Sequence, residues 1–150
     1  MVANLGQQET STYNAPAPEF PNQLIPNILI VDDEEKLGRF ICMVLKKAGY
    51  QSVACRSVAE ARTLIGTNTW HLVLTDIVMP RENGFELAYW ISQNYPRLPV
   101  IAMTAHSTEA IVHQANQLGV AAILHKPFTL EGLRKLLSET TQLYVNSHRS

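Results

Sequence analysis

Residues 73–87 read VLTDIVMPRENGFEL. An apolar run ends in a single acid, Asp76, then Met79-Pro80 follows, and Gly84 stands where the pattern turns helical. A buried strand gains nothing in packing from a carboxylate at its tip, because a desolvated charge costs free energy unless it is paired or used. The stretch therefore predicts a strand, a loop carrying chemistry, and a helix that starts near Gly84.

The same unit recurs on both sides. "NILIVD" from Asn27 is a short run of branched apolar residues ending in acids, suited to a strand buried on both faces. After it, Leu37, Phe40, Ile41, Val44, Leu45 and Ala48 fall at helical spacing as one apolar stripe, with Gly49 placed to end the helix. "QSVACR" is a second strand. "SVAE" at 57–60 reads as a capping box, with Ser57 as N-cap and Glu60 three residues on, opening a helix that carries Ala61, Leu64 and Ile65 and stops at Gly66. "HLVLTD" is the third strand, and 84–94 is a helix with Phe85, Leu87, Ala88 and Ile91. "PVIAMT" is the fourth strand, followed by a helix capped by Ser107 and closed by Gly119. "AAILHKP" is the fifth strand, and 129–142 forms a last amphipathic helix. Strict alternation of five strands with five helices predicts an α/β fold, a doubly wound parallel sheet with right-handed crossovers on both faces.

The flanks read differently. Residues 1–24, punctuated by Pro16, Pro18 and Pro21, show no periodic apolar face and are expected to be a flexible tail, with a short recognition segment around Phe20 as the alternative. One domain is expected over 25–143 and a C-terminal tail over 144–150.

Composition narrows the function classes. Of 150 residues, 46% are hydrophobic and 17% charged, an ordinary globular balance. A net charge of -1 gives no general pull toward nucleic acid or an anionic membrane surface. No stretch has the length and apolarity of a membrane span, and no signal core opens the chain. Cys42 and Cys55 are too few for a disulfide framework, and His71, His113, His125 and His148 show no zinc-ligand spacing. A cytoplasmic location is expected.

In an open parallel sheet, ligands bind beyond the carboxyl ends of the strands. Asp32 and Asp33 follow the first strand, Asp76 ends the third, Thr104 ends the fourth and Lys126 follows the fifth. Each alone reads as a solvated turn or a surface residue; four strands delivering polar or charged groups to one rim is not well explained by accident. At ~4 Å and an effective dielectric of ~20, each like-charge contact costs about 4 kcal/mol. Such acids either raise a pKa or hold a cation, and oxygen ligands without cysteine or histidine favour Mg²⁺.

"ILIVDDE", "VLTDIVMPRENG", "PVIAMTAHS" and "LHKPF" resemble the signature segments of the receiver domain of two-component response regulators, over about residues 27–142. The resemblance implies a flavodoxin-like sheet in the order 2-1-3-4-5. It implies that Asp76 takes a phosphoryl group from a histidine kinase or phosphotransfer protein. Asp33 and Asp76, with the main-chain carbonyl of Val78, would then bind Mg²⁺ directly, and Asp32 mainly through water. Lys126 would contact the phosphoryl oxygens, the Thr104 hydroxyl would turn inward to them, and the Lys126-Pro127 bond would be cis. The domain would catalyse its own phosphorylation and dephosphorylation and act on no external metabolite. Its output face would lie on the fourth helix, fifth strand and fifth helix, contacting an effector protein or an output domain of a larger regulator, with a homodimer left open and no direct contact with nucleic acid or membrane.

This sequence departs from the family at Ile123, where an aromatic residue often moves with the threonine. Val78 and His106, two residues after Asp76 and Thr104, correspond to positions that border the phosphoryl group. An apolar Val78 should not orient an attacking water, so a persistent phosphoform is expected. Two rivals stand beside this reading. An Asp-nucleophile Mg²⁺ phosphatase would carry a D-x-D motif at its first strand, where this chain has adjacent Asp32-Asp33. A binding module that works without phosphate would have no use for the full set of Asp33, Asp76, Thr104 and Lys126.

Overall fold

The computed structural model describes residues 25–147, with side chains through Thr141. The expected tail over 1–24 lies outside the described residues, as do 148–150.

The chain alternates β1 (Asn27–Val31), α1 (Glu35–Lys47), β2 (Gln51–Cys55), α2 (Val58–Thr67), β3 (Leu72–Asp76), α3 (Gly84–Asn94), β4 (Val100–Thr104), α4 (Glu109–Gln117), β5 (Ala122–His125) and α5 (Leu130–Ser147). The strands form one parallel sheet in the order β2-β1-β3-β4-β5. β3 and β4 are buried at every position and β1 at all but Asn27, whereas β2 leaves most of its residues accessible. The near-continuous apolar runs thus mark the centre of the sheet and the mixed run marks an edge.

Successive side chains of a strand point to opposite faces, and this sorts the core into layers. Ile28, Ile30 and Leu74 pack with Ile41 and Leu45 of α1 and Leu133 and Leu137 of α5. Leu29, Val31 and Val73 point the other way, against Ala61 and Ile65 of α2 and Leu87 and Ile91 of α3. Full burial of each such Leu or Ile contributes roughly 1.5–3 kcal/mol. α4 is held more lightly, with Ala115 its single buried residue, packed with Ile77, Phe85 and Ala102.

Several local expectations hold. Gly49 and Gly119 end α1 and α4 with φ of 96° and 74°, a region in which a Cβ is strained. The Ser57 hydroxyl accepts from the Glu60 N–H at 3.1 Å, and the Lys126-Pro127 bond is cis.

Others are corrected. Phe40, expected on the buried stripe of α1, is 42% exposed. Gly38 lies so close to β2 that a Cβ there would stand 3.2 Å from the Ala54 Cβ, which turns the buried line of the helix onto Gly38, Ile41 and Leu45. Thr108, not Ser107, caps α4: its hydroxyl accepts from the Ile111 N–H at 3.2 Å, while the Ser107 hydroxyl contacts Nδ1 of His125. α2 runs through Gly66 to Thr67, and α5 continues past 142 to Ser147. A small antiparallel hairpin, Val78–Met79 with Glu82–Asn83, occupies what the sequence presents as a plain loop. Among the described residues no helix is long and apolar enough to cross a membrane.

Candidate functional site

The carboxyl ends of β1, β3, β4 and β5 meet on one rim. β1 pairs with β3 through Val31 and Thr75, which brings Asp32 beside Asp76. β3 pairs with β4 through Asp76 and Met103, and β4 with β5 through Thr104 and His125. Ordinary ladder register therefore gathers residues far apart in the chain, with Asp32 and Asp33 on the turn that directly follows β1.

Asp32 and Asp76 are buried and Asp33 is half-buried. One carboxylate oxygen from each can be chosen so that all three lie within 4.8 Å of one another. The Lys126 ammonium donates to Oδ2 of Asp32 and to Oδ2 of Asp76, both at 3.0 Å. The remaining oxygens take main-chain donors: the Glu34 N–H reaches Oδ1 of Asp32 at 2.8 Å and the Val78 N–H reaches Oδ1 of Asp76 at 3.3 Å. Two of the three clustered carboxylates thus share one ammonium.

The imbalance appears in the protonation equilibria. Burial pushes the Asp76 carboxyl above its usual value; Lys126 pulls the other way, Asp32 adds to the rise, the Val78 N–H opposes it, and burial wins. For Lys126, burial favours the neutral amine, but hydrogen bonds and charge from Asp32 and Asp76 outweigh it and hold the ammonium on. An ion pair by itself would draw Asp76 down. It rises because burial outweighs the pull of Lys126, with the Asp32 charge adding to the rise. A cluster of oxygen ligands short of positive charge suits a hard cation, and Asp32, Asp33 and Asp76 are the residues able to hold one.

Two other predicted residues sit at the rim in different ways. Val78 is 63% exposed and lies on the hairpin, with its N–H directed at the Asp76 carboxylate. Thr104 is buried, but its hydroxyl is not turned to the acids: it accepts from the His106 N–H at 2.9 Å and donates to the His106 carbonyl at 3.1 Å. Its carbonyl accepts from the Lys126 N–H at 2.8 Å, so Thr104 and Lys126 are joined through the main chain. His106 itself is exposed.

Gly84 has a steric reason that the sequence only hints at. A Cβ there would lie 2.0 Å from the Asp76 carbonyl oxygen, and the Gly84 N–H donates to the Ile77 carbonyl at 2.8 Å. The start of α3 is pressed directly against the strand that carries Asp76.

With this geometry in place, the comparisons with known proteins are specific. The family profile described as "Response regulator receiver domain" matches residues 28–138. The chain belongs to that family.

This receiver domain is 33% identical over 115 residues to the response regulator protein PilR of Pseudomonas aeruginosa, covering 77% of this chain and 26% of PilR. It is 31% identical over 118 residues to the response regulator receiver protein CpdR of Brucella abortus, covering 79% of this chain and 96% of CpdR. The chain therefore spans about a quarter of one relative and nearly the whole of the other. A CheY-like receiver domain structure from Methanospirillum hungatei superposes with a TM-score of 0.79 at 22% identity, covering 83% of this chain and 99% of that one, and shares its fold. The receiver domain is a signalling module of two-component systems, and its acidic pocket fits a phosphoacceptor.

Two further contacts had no place in the sequence reading. Oε1 of Glu82, on the hairpin, accepts from the Val58 N–H at the start of α2 at 2.8 Å. Nε of Arg56 donates to the Asp33 carbonyl at 3.3 Å. In sequence both look like solvated loop charges, and only the closure of the sheet brings them to their partners.

Proposed function

We propose that Asp76 accepts a phosphoryl group from a phosphohistidine of a sensor kinase or phosphotransfer protein, with Mg²⁺ held by Asp33, Asp76 and the Val78 carbonyl and assisted by Asp32 through water. The observation that carries this reading is the placement of the Lys126 ammonium 3.0 Å from both Asp32 and Asp76 within the three-acid cluster. In the transfer, a carboxylate oxygen of Asp76 forms a bond to phosphorus, the bond from phosphorus to the donor breaks, and the donor leaves with its electron pair. Bound Mg²⁺ supplies positive charge for the acids and the transferring oxygens. Lys126 is already poised to leave a carboxylate for a phosphoryl oxygen, an exchange that needs little movement.

Thr104 supplies the difference between states. Its hydroxyl is engaged with the His106 main chain, and an aspartyl phosphate offers it a charged acceptor instead. Exchanging one partner for the other releases the loop that leads into α4, the helix with one buried residue. A ligand shifts an equilibrium only through such differential contact. The face of α4, β5 and α5 is the surface whose partner affinity changes, toward an effector protein or an output domain. The domain itself turns over no external substrate.

The test is intact-mass spectrometry after incubation with acetyl phosphate, with and without Mg²⁺, beside an Asp76→Asn control. A single Mg²⁺-dependent phosphoryl adduct absent from the control is expected. Catalytic hydrolysis of small phosphate esters without an adduct would instead support the phosphatase reading.

A further inference from the structure

The loops that carry the acids touch one shared segment. The Asp32 N–H donates to the Cys55 carbonyl at 3.1 Å, and the Arg56 guanidinium reaches the Asp33 carbonyl at 3.3 Å. From the other side, the Glu82 carboxylate accepts from the Val58 N–H at 2.8 Å. Glu82 pairs with Met79 across the hairpin that carries Val78, and Met79 is buried in the same apolar cluster as Cys55 and Val58. Residues 55–58 therefore clamp the loop after β1 and the hairpin after β3 to the same stretch of backbone.

The Glu82 contact is suited to that work. The first N–H groups of a helix have no partner within the helix, and a carboxylate there gains both a hydrogen bond and the favourable end of the helix dipole. Ser57 serves the Glu60 N–H, which leaves the Val58 N–H for Glu82. The bond joins residues 24 positions apart, and it closes a hairpin with only two residues in each strand. So short a hairpin is marginal by itself.

We infer that Glu82 is a positioning residue for the cation site: by bonding the Val58 N–H it fixes the hairpin that presents the Val78 carbonyl beside Asp76. This rests on the reading of Asp76 and Mg²⁺ given above. Glu82 touches none of the reacting atoms and acts through the hairpin.

The experiment is calorimetric titration of Mg²⁺ into the unphosphorylated chain, with amide hydrogen exchange at Val58 recorded on the same proteins. Glu82→Met is expected to bind Mg²⁺ about ten-fold more weakly, the smaller end of what supporting residues contribute to a metal site, and to lose protection at the Val58 amide. Glu82→Gln keeps the acceptor oxygen and should stay close to the wild type. Glu82→Asp keeps the charge but loses the reach, and should resemble Glu82→Met. Trp70→Phe removes the indole bond to the Leu64 carbonyl at the opposite end of the sheet, so it should lower the melting temperature and leave Mg²⁺ affinity unchanged.

Equal affinity in Glu82→Met and wild type, or an equal loss in Trp70→Phe, would overturn the inference and leave the receiver mechanism standing. A wild-type chain that takes up no Mg²⁺ would overturn the cation reading itself, and this inference with it.

Discussion

The two ends of the sheet are built on opposite terms. At the amino end, Asn27 and Trp70 make their polar contacts as uncharged donors. The Asn27 N–H donates to Nδ1 of His71 at 2.9 Å, the Asn27 side chain donates to the Thr69 carbonyl at 2.9 Å, and the Trp70 indole donates to the Leu64 carbonyl at 2.8 Å. At the carboxyl end, three carboxylates cluster and two of them share one ammonium, and Asp76 is raised by its own burial. One end is arranged to hold strands in register. The other keeps charges at close quarters that a stability optimum would remove, which is the usual relation between a site and the fold that carries it.

The largest effect expected from this contrast is at Lys126. Lys126→Ala leaves two buried carboxylates without their cation, and should destabilise the chain by about 3 kcal/mol at neutral pH in the presence of a chelator. Urea unfolding with and without Mg²⁺ measures it, and partial restoration by Mg²⁺ is expected. A loss near zero would mean that the acids are far better solvated than their burial indicates.

Next is the lifetime of the phosphoform. Val78→Asn places an amide beside Asp76 able to orient a water, and should speed dephosphorylation roughly ten- to a hundred-fold. The decay of the phosphoryl adduct by mass spectrometry is the readout, and an unchanged decay would separate Val78 from control of the lifetime.

Smaller shifts of opposite sign should follow from neutral substitutions at the two ends. Asp76→Asn removes a buried charge while Lys126 keeps Asp32, so without divalent cation it should stabilise the chain at neutral pH by about 1 kcal/mol. The sign follows from linkage. The folded Asp76 value lies above the ordinary 3.8, so the advantage of the neutral carboxyl is complete below pH 3.8 and is lost as pH rises through the folded value. The gap between variant and wild type should therefore open with rising pH from the acid side and close toward pH 3.8, as followed by melting temperature. At the amino end, Trp70→Phe forfeits the bond to the Leu64 carbonyl and should cost about 1 kcal/mol, with Mg²⁺ binding and phosphoryl uptake unchanged. A Trp70 variant that altered phosphorylation would break the division between the two ends.

Cys55 borders the charged end and illustrates the same desolvation. Burial, opposed by the Ser57 carbonyl contact and reinforced by Glu60 and Glu82, pushes its thiol up to about 11, so it is a packing residue and not a nucleophile at neutral pH.

Much of this was legible in the residues. The apolar runs at 28–31, 72–75 and 100–103 have no polar alternation, so they had to be strands covered on both faces, and their alternation with helical stripes left little choice but a parallel sheet. Once the strands were parallel, Asp32, Asp76, Thr104 and Lys126 had to share a rim, because each stands at the same end of its strand. Ser57, Gly49 and Gly119 announced their caps through local chemistry that acts within one turn.

What the sequence left undecided depends on distances between segments. Whether Phe40 is covered turns on how closely Gly38 approaches Ala54, a contact between a helix and an edge strand. Ser107 and Thr108 are adjacent hydroxyls that can both cap a helix, and in the fold Ser107 contacts His125 while Thr108 caps α4. The same holds for the division of Lys126 between Asp32 and Asp76, the Thr104 hydroxyl resting on His106, and the Glu82 bond to α2. Periodicity and caps report on neighbours along the chain, so they determined the elements and the rim of the site. Which polar atom finds which partner across 24 or 94 residues is fixed only when the sheet has closed and brought them within hydrogen-bond reach.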